Sequence, residues 1–159
     1  MPLEIERKFL VNTDSLTTDN DGVYLSQAYL TDDPARTVRI RIAGEKAFLT
    51  IKGPSNGISR KEFEYEIQVD EAKEIMQLSI FPPVEKTRYK IKYQGILWEL
   101  DIFHGKNEGL VLAEVELHSE NQEISLPNWI ADEVSGDPRY FNSYLAKFPF
   151  QSWDENKLV

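Results

Sequence analysis

Thr37-Val38-Arg39-Ile40-Arg41-Ile42-Ala43-Gly44-Glu45-Lys46-Ala47-Phe48-Leu49-Thr50-Ile51-Lys52 changes side-chain character at every second residue on both sides of a Gly-Glu pair. Val38, Ile40 and Ile42 share one face of the first arm, opposite Arg39 and Arg41. In the second arm Ala47, Leu49 and Ile51 oppose Phe48, Thr50 and Lys52. Successive side chains of a strand point to opposite faces, so this spacing predicts strands over 37–43 and 46–52 joined by a two-residue turn at Gly44-Glu45.

The same period recurs along most of the chain. It predicts further strands over 3–11, 23–31, 60–68, 86–93, 96–103 and 110–118, eight in all. Gln94-Gly95 and the segment from His104 to Gly109 are the other turn signals. Helical patterns are fewer: Asp70–Ser79, opened by Asp70 as a cap and stopped before Phe81-Pro82-Pro83, then Pro127–Ser135 and Arg139–Lys147, with a short turn near Asp14–Thr18. A stretch from Pro149 to Val159 reads as a loosely held tail. One domain over 1–148 accommodates all of this, and eight mostly antiparallel strands in it point to a sandwich or a closed barrel.

Composition narrows the class. Of 159 residues, 41% are apolar and 28% charged, with a net charge of −9 and no cysteine. That balance argues against nonspecific binding to nucleic acid or anionic membranes, and no stretch approaches the roughly 20 apolar residues of a membrane-spanning helix. The charged N-terminal residues do not read as a signal peptide, so a cytoplasmic protein is expected. Without cysteine there is no disulfide, thiolate nucleophile or thiolate zinc site. His104 and His118 are not at metal-motif spacing, so a metal site would be built from carboxylates.

The cations are unevenly placed. The windows 36–61 and 86–92 hold 11 of the 18 Lys and Arg residues. Charge on the polar strand faces is blocked by sign: acidic in the first strand, basic in 37–52 and 86–92, acidic again in 96–103 and 110–118. Either these faces meet solvent, or a barrel turns them into its lumen, where so many ions would need pairing, water or a bound ligand. The period alone leaves both open. Glu4 with Glu6 and Glu114 with Glu116 each put two carboxylates on one face, a plausible oxygen platform for a hard divalent cation.

Glu4-Ile5-Glu6-Arg7-Lys8 forms an ExExK motif, and in this the chain resembles the CYTH, or triphosphate tunnel metalloenzyme, superfamily. The resemblance continues through Gln27-Ala28-Tyr29-Leu30, Val38-Arg39-Ile40-Arg41, Thr50-Ile51-Lys52, Arg60 with Glu62 and Glu64, Lys86-Thr87-Arg88-Tyr89, Glu99-Leu100-Asp101 and Glu114-Val115-Glu116, and closes on Asp137–Leu145. It covers roughly residues 2–148. It implies a mainly β (α+β) fold, an eight-stranded antiparallel closed barrel forming a tunnel with a few flanking helices and the charged faces inward. The activity implied is metal-dependent hydrolysis of inorganic triphosphate to pyrophosphate and phosphate.

In that frame Lys8, Arg39, Arg41, Lys52, Arg60 and Arg88 would bind phosphate. Glu4, Glu6, Glu114 and Glu116 would hold Mg²⁺ or Mn²⁺, supported by Glu62, Glu64 and Asp101. Tyr29 and Lys86 match a pair that activates water in some short bacterial members, with a further phosphate clamp the other reading of Lys86. The partner expected is a small-molecule triphosphate rather than nucleic acid or membrane, and the chain a monomer or homodimer. Alternatives are a nucleoside-triphosphate enzyme of the same fold (adenylate cyclase, nucleotide or thiamine triphosphatase) or a non-catalytic polyphosphate or nucleotide binder. The aromatic-rich segment Tyr140, Phe141, Tyr144, Phe148 and Phe150 would pack on the barrel or on a second subunit.

Overall fold

The structure is a computed structural model that describes residues 3–153. All eight predicted strands form: β1 Leu3–Val11, β2 Val23–Tyr29, β3 Thr37–Ala43, β4 Lys46–Lys52, β5 Ser59–Ile67, β6 Val84–Tyr93, β7 Ile96–Phe103 and β8 Val111–Glu116, with α1 Val69–Met76 between β5 and β6. Each pairs antiparallel with its neighbours in the order β5-β4-β3-β2-β6-β7-β8-β1, and a β5–β1 pairing closes the barrel. The β3–β4 hairpin pairs Ala43 with Lys46, so Gly44-Glu45 is the turn. Gly44 sits there at φ +59, a left-handed conformation that a residue without Cβ adopts at little cost.

β1 is shared between two partners. Its start, Leu3–Ile5, pairs with β5, whereas Phe9 and Val11 pair with a short ninth strand, β9 Ile130–Glu133. The segment 127–135 is therefore a turn followed by a strand, not the helix expected there. Where β5 diverges, β1 presents unpaired backbone groups, and satisfying them outweighs the local helical pattern. The expected cap at Asp70 also moves: α1 has Gln68 at its N-cap with no side-chain hydrogen bond. Asp70 and Glu71 lie in the first turn, where the helix dipole favours acids.

The barrel is inverted relative to a protein with an apolar centre, since much of its apolar surface faces outward under covering segments. Ile5, Phe9, Trp98, Leu100, Ala113 and Val115 pack with Leu117 and Trp129. Ile40 and Ala47 pack beneath Ala72 of α1. At one end the inward faces turn apolar as well: Tyr29, Val84, Phe103 and Leu112 meet Leu145 and Ala146 of α2 (Asn142–Lys147), which plugs that end. The C-terminal aromatics pack on the barrel. Trp153 lies against Tyr140, Tyr144 and Phe150, and a 3₁₀ turn spans Phe150–Ser152. The chain is thus held through Trp153, contrary to a loose tail from Pro149. The rest of the expected tail, 154–159, lies outside the described residues. Among the described residues no helix is long and apolar enough to cross a membrane.

Candidate active site

Inside the barrel lies a cavity of about 260 Å³. Every residue expected to bind phosphate, hold metal or activate water lines it, as do the supporting residues Glu62 and Glu64. Neither histidine lines it. The alternation seen in the sequence is the cause: inward positions of β1, β3, β4, β5, β6, β7 and β8 supply the charged residues. Lys8, Arg39, Arg41, Lys52, Arg60, Lys86 and Arg88 face Glu4, Glu6, Glu62, Glu64, Glu99, Glu114 and Glu116, seven cations against seven acids.

Asp101 shares the inward parity of Glu99 but does not line the cavity itself. It is fully buried and binds Arg88 at two points (Nε–Oδ1 2.8 Å, Nη2–Oδ2 2.8 Å) and Lys86 Nζ at 2.8 Å. Burial alone would raise its pKa, but Lys86 and Arg88 hold it below the usual carboxylate range. Burial pushes the Lys86 ammonium down to about 7, with repulsion from Arg88 and Arg41 outweighing the attraction of Asp101 and Glu114 only in company with that desolvation. Desolvation likewise lowers Arg41 to about 10, helped by Arg39 and Arg88. Arg39 donates Nη2 to Thr50 Oγ1 at 3.2 Å, yet its Nε is buried with no hydrogen-bond partner. Such an orphaned guanidinium donor is costly unless an anion fills its place.

Several cations are also tied to the frame. Lys8 Nζ donates to the Tyr140 carbonyl at 3.0 Å and stands 3.9 Å from Glu114. Arg60 gives Nε and Nη2 to the Gly53 carbonyl (3.1 and 2.8 Å), so it anchors the β4–β5 loop while facing the cavity. Lys52 bridges Glu4 at 3.0 Å and Glu62 at 3.3 Å.

The carboxylates are crowded. Burial and the nearby charges of Glu114 and Glu4 drive Glu6 well above the ordinary carboxylate range. Glu114 stays well below that range, because Lys8, Arg88 and a hydrogen bond with Glu6 oppose the effect of its burial. Burial and Glu4 also raise Glu116. An all-oxygen donor set whose carboxylates repel one another fits a hard divalent cation, which would relieve that repulsion. Among the described residues no three acidic or imidazole groups converge at ligand spacing.

Two residues with no role assigned from sequence sit at the centre of the hydrogen bonding. Gln27, fully buried, and Asn142, the first residue of α2, join Arg41, Tyr29 and Lys86. Gln27 has the same inward parity as Tyr29, a signal that was present in the sequence. Asn142 lies 115 residues away, in the closing segment 137–145 that carries part of the resemblance, which gave it no role.

Comparison with known proteins gives the same picture. The model of the CYTH domain matches residues 2–141. An inorganic triphosphatase of Acetivibrio thermocellus is 49% identical over 156 residues, covering 98% of this chain and all of that protein. An inorganic triphosphatase of Nitrosomonas europaea is 41% identical over 152 residues, covering 90% of this chain and 96% of the relative. A crystal structure of an inorganic triphosphatase superposes with a TM-score of 0.64 at 39% identity, over 89% of this chain and 96% of the other. With the charged barrel interior and a family match over most of its length, the chain belongs to the CYTH domain family.

Proposed function

We propose that this protein hydrolyses inorganic triphosphate to pyrophosphate and phosphate in the barrel cavity. The observation that carries the reading is the set of guanidinium groups of Arg39, Arg41 and Arg88 around one small chamber, with Arg39 Nε buried and unpartnered. Planar guanidinium forks match phosphoryl oxygens two at a time, and their positions, set before reaction, stabilise the charge of the phosphate chain. The chamber, about 260 Å³, is below the roughly 300–1,000 Å³ of pockets that enclose drug-sized ligands, which favours a bare phosphate chain over a nucleotide. The names of the two relatives support the same substrate.

Lys8 and Lys52 add point charges, and Arg60 steadies the loop at Gly53. Glu4, Glu6, Glu114 and Glu116 are the residues that would hold Mg²⁺ or Mn²⁺. When bound, such an ion neutralises charge on the phosphoryl oxygens and orients them. Lys86 acts as the base. As a neutral amine it has two N–H groups, directed to Asn142 Oδ1 at 2.9 Å and Asp101 Oδ2 at 2.8 Å, which leaves its lone pair for a proton. Water adds to the terminal phosphorus, the bridging P–O bond breaks, pyrophosphate leaves, and the water's proton passes to Lys86 directly or by way of Tyr29.

The test is incubation of the pure protein with tripolyphosphate and with ATP, each with Mg²⁺ and with Mn²⁺. Phosphate release from tripolyphosphate exceeding that from ATP is expected. Cyclic AMP formed from ATP, or tripolyphosphate binding without turnover, would overturn the reading.

A further inference from the structure

We infer that Gln27 and Asn142 form an amide relay that positions Tyr29 and Lys86, so that the base is assembled only when α2 is seated in the end of the barrel. The inference rests on the hydrolytic reading above, and it concerns positioning residues rather than groups that touch the reacting atoms.

The polarity of the relay follows from its first member. Arg41 can only donate, and its Nε meets Gln27 Oε1 at 3.0 Å. That turns the Gln27 amide nitrogen the other way, where its two hydrogens go to the Tyr29 hydroxyl oxygen at 2.9 Å and to Asn142 Oδ1 at 3.1 Å. Asn142 Oδ1 accepts a second hydrogen from Lys86 Nζ at 2.9 Å. No member can flip without setting donor against donor or acceptor against acceptor in a buried site, where an unmade hydrogen bond is expensive.

Two consequences bear on catalysis. The Tyr29 oxygen is already an acceptor toward Gln27, whose donors are both used, so the phenolic hydrogen must point elsewhere. Lys86, held by Asp101 on one side and Asn142 on the other, has its remaining valence aimed by two fixed acceptors. Asn142 reaches this position because Leu145 and Ala146, buried among Tyr29, Val84, Phe103 and Leu112, seat α2. The groups that face Lys86 are Asp101 from β7, Arg88 from β6, Arg41 from β3, Glu114 from β8, the Phe103 ring at 5.4 Å and Asn142 from α2. Asn142 is the one of these that does not belong to the barrel wall.

The experiment uses the full-length protein and begins with wild-type turnover of tripolyphosphate. No turnover overturns the hydrolytic reading itself. With turnover present, Gln27→Leu and Asn142→Ala are expected to lower kcat about ten- to hundredfold with KM changed less than about twofold, since misplacing a reacting group by about 1 Å costs on that order. In a Tyr29→Phe background, Gln27→Leu should cost clearly less than it does in the wild type, because part of its effect passes through Tyr29. Asn142→Asp keeps the acceptor and adds charge beside Lys86. It should therefore fold, and it should move the acid limb of the kcat profile to higher pH, with activity recovered there. Melting temperatures show which variants fold. Loss confined to KM, effects that multiply with Tyr29→Phe, or an Asn142→Asp profile identical to wild type would overturn the relay while leaving the hydrolytic reading intact.

Discussion

Arg88 grips Asp101 through two parallel hydrogen bonds of 2.8 Å, and Lys86 takes a third contact on the same carboxylate at 2.8 Å. One fully buried acid therefore accepts from two buried basic groups. Asp101→Ala would remove the acceptor that they share and is expected to destabilise the fold by about 3–5 kcal/mol, read by chemical denaturation. Glu99 also approaches Arg88, at 3.4 Å, but its side chain is 32% exposed. Glu99→Gln should cost under about 1 kcal/mol. Equal costs for the two variants would show that Asp101 is not the buried counterion described.

The depressed pKa of Lys86 sets a pH dependence with a definite sign. Below about pH 7 the amine is protonated and cannot accept a proton; above it the lone pair is free. Turnover is expected to rise through about pH 7, and Lys86→Met should abolish both the limb and most of the rate. Stability moves the same way. Between about 7 and the ordinary 10.5 the unfolded chain holds a proton that the folded chain has released, so stability rises with pH across that window, relative to Lys86→Met.

Divalent cation is expected to raise the melting temperature by mass action. At a hundred times its dissociation constant the gain is about 2.7 kcal/mol. Glu114→Ala removes a carboxylate held ionised by Lys8 and Arg88 and should abolish most of that gain. Calorimetric scans with Mg²⁺, Mn²⁺ and EDTA measure it, and a gain unchanged in Glu114→Ala would place the ion elsewhere.

Trp153 joins Tyr140, Tyr144 and Phe150 in edge-on and tilted contacts that brace α2. Trp153→Ala should cost about 2 kcal/mol, less than the 3–5 typical of a fully buried tryptophan because this ring is only partly covered. Differential scanning calorimetry reads the shift. No shift at all would mean the segment after Pro149 contributes nothing to holding the plug.

Alternation made the strands legible, because a two-residue period is the direct imprint of a pleated backbone. It could not say which face was inside. Arg39 and Arg41 alternate with Ile40 in the same way whether the guanidinium groups face bulk water or a hydrated bore, and the ExExK resemblance supplied the direction. Ile130–Glu133 was misread because its reason to be a strand lies in another segment, the free edge of β1 beyond Ile5. Asn142 falls in the closing segment 137–145 that shares the resemblance, yet its role is not legible there. Its partners, Gln27 and Lys86, are distant in sequence.

The plug of Leu145 and Ala146 makes the bore a dead-end vessel, and a dead-end vessel imposes a queue. Whatever enters by the end opposite α2 must leave by it, so the fragment produced beside Lys86 cannot depart until the fragment nearer the rim has gone. Steady-state inhibition should carry the signature: the last product out competes with tripolyphosphate, and the first does not. Competitive inhibition by both products would mean that either can slip past the other.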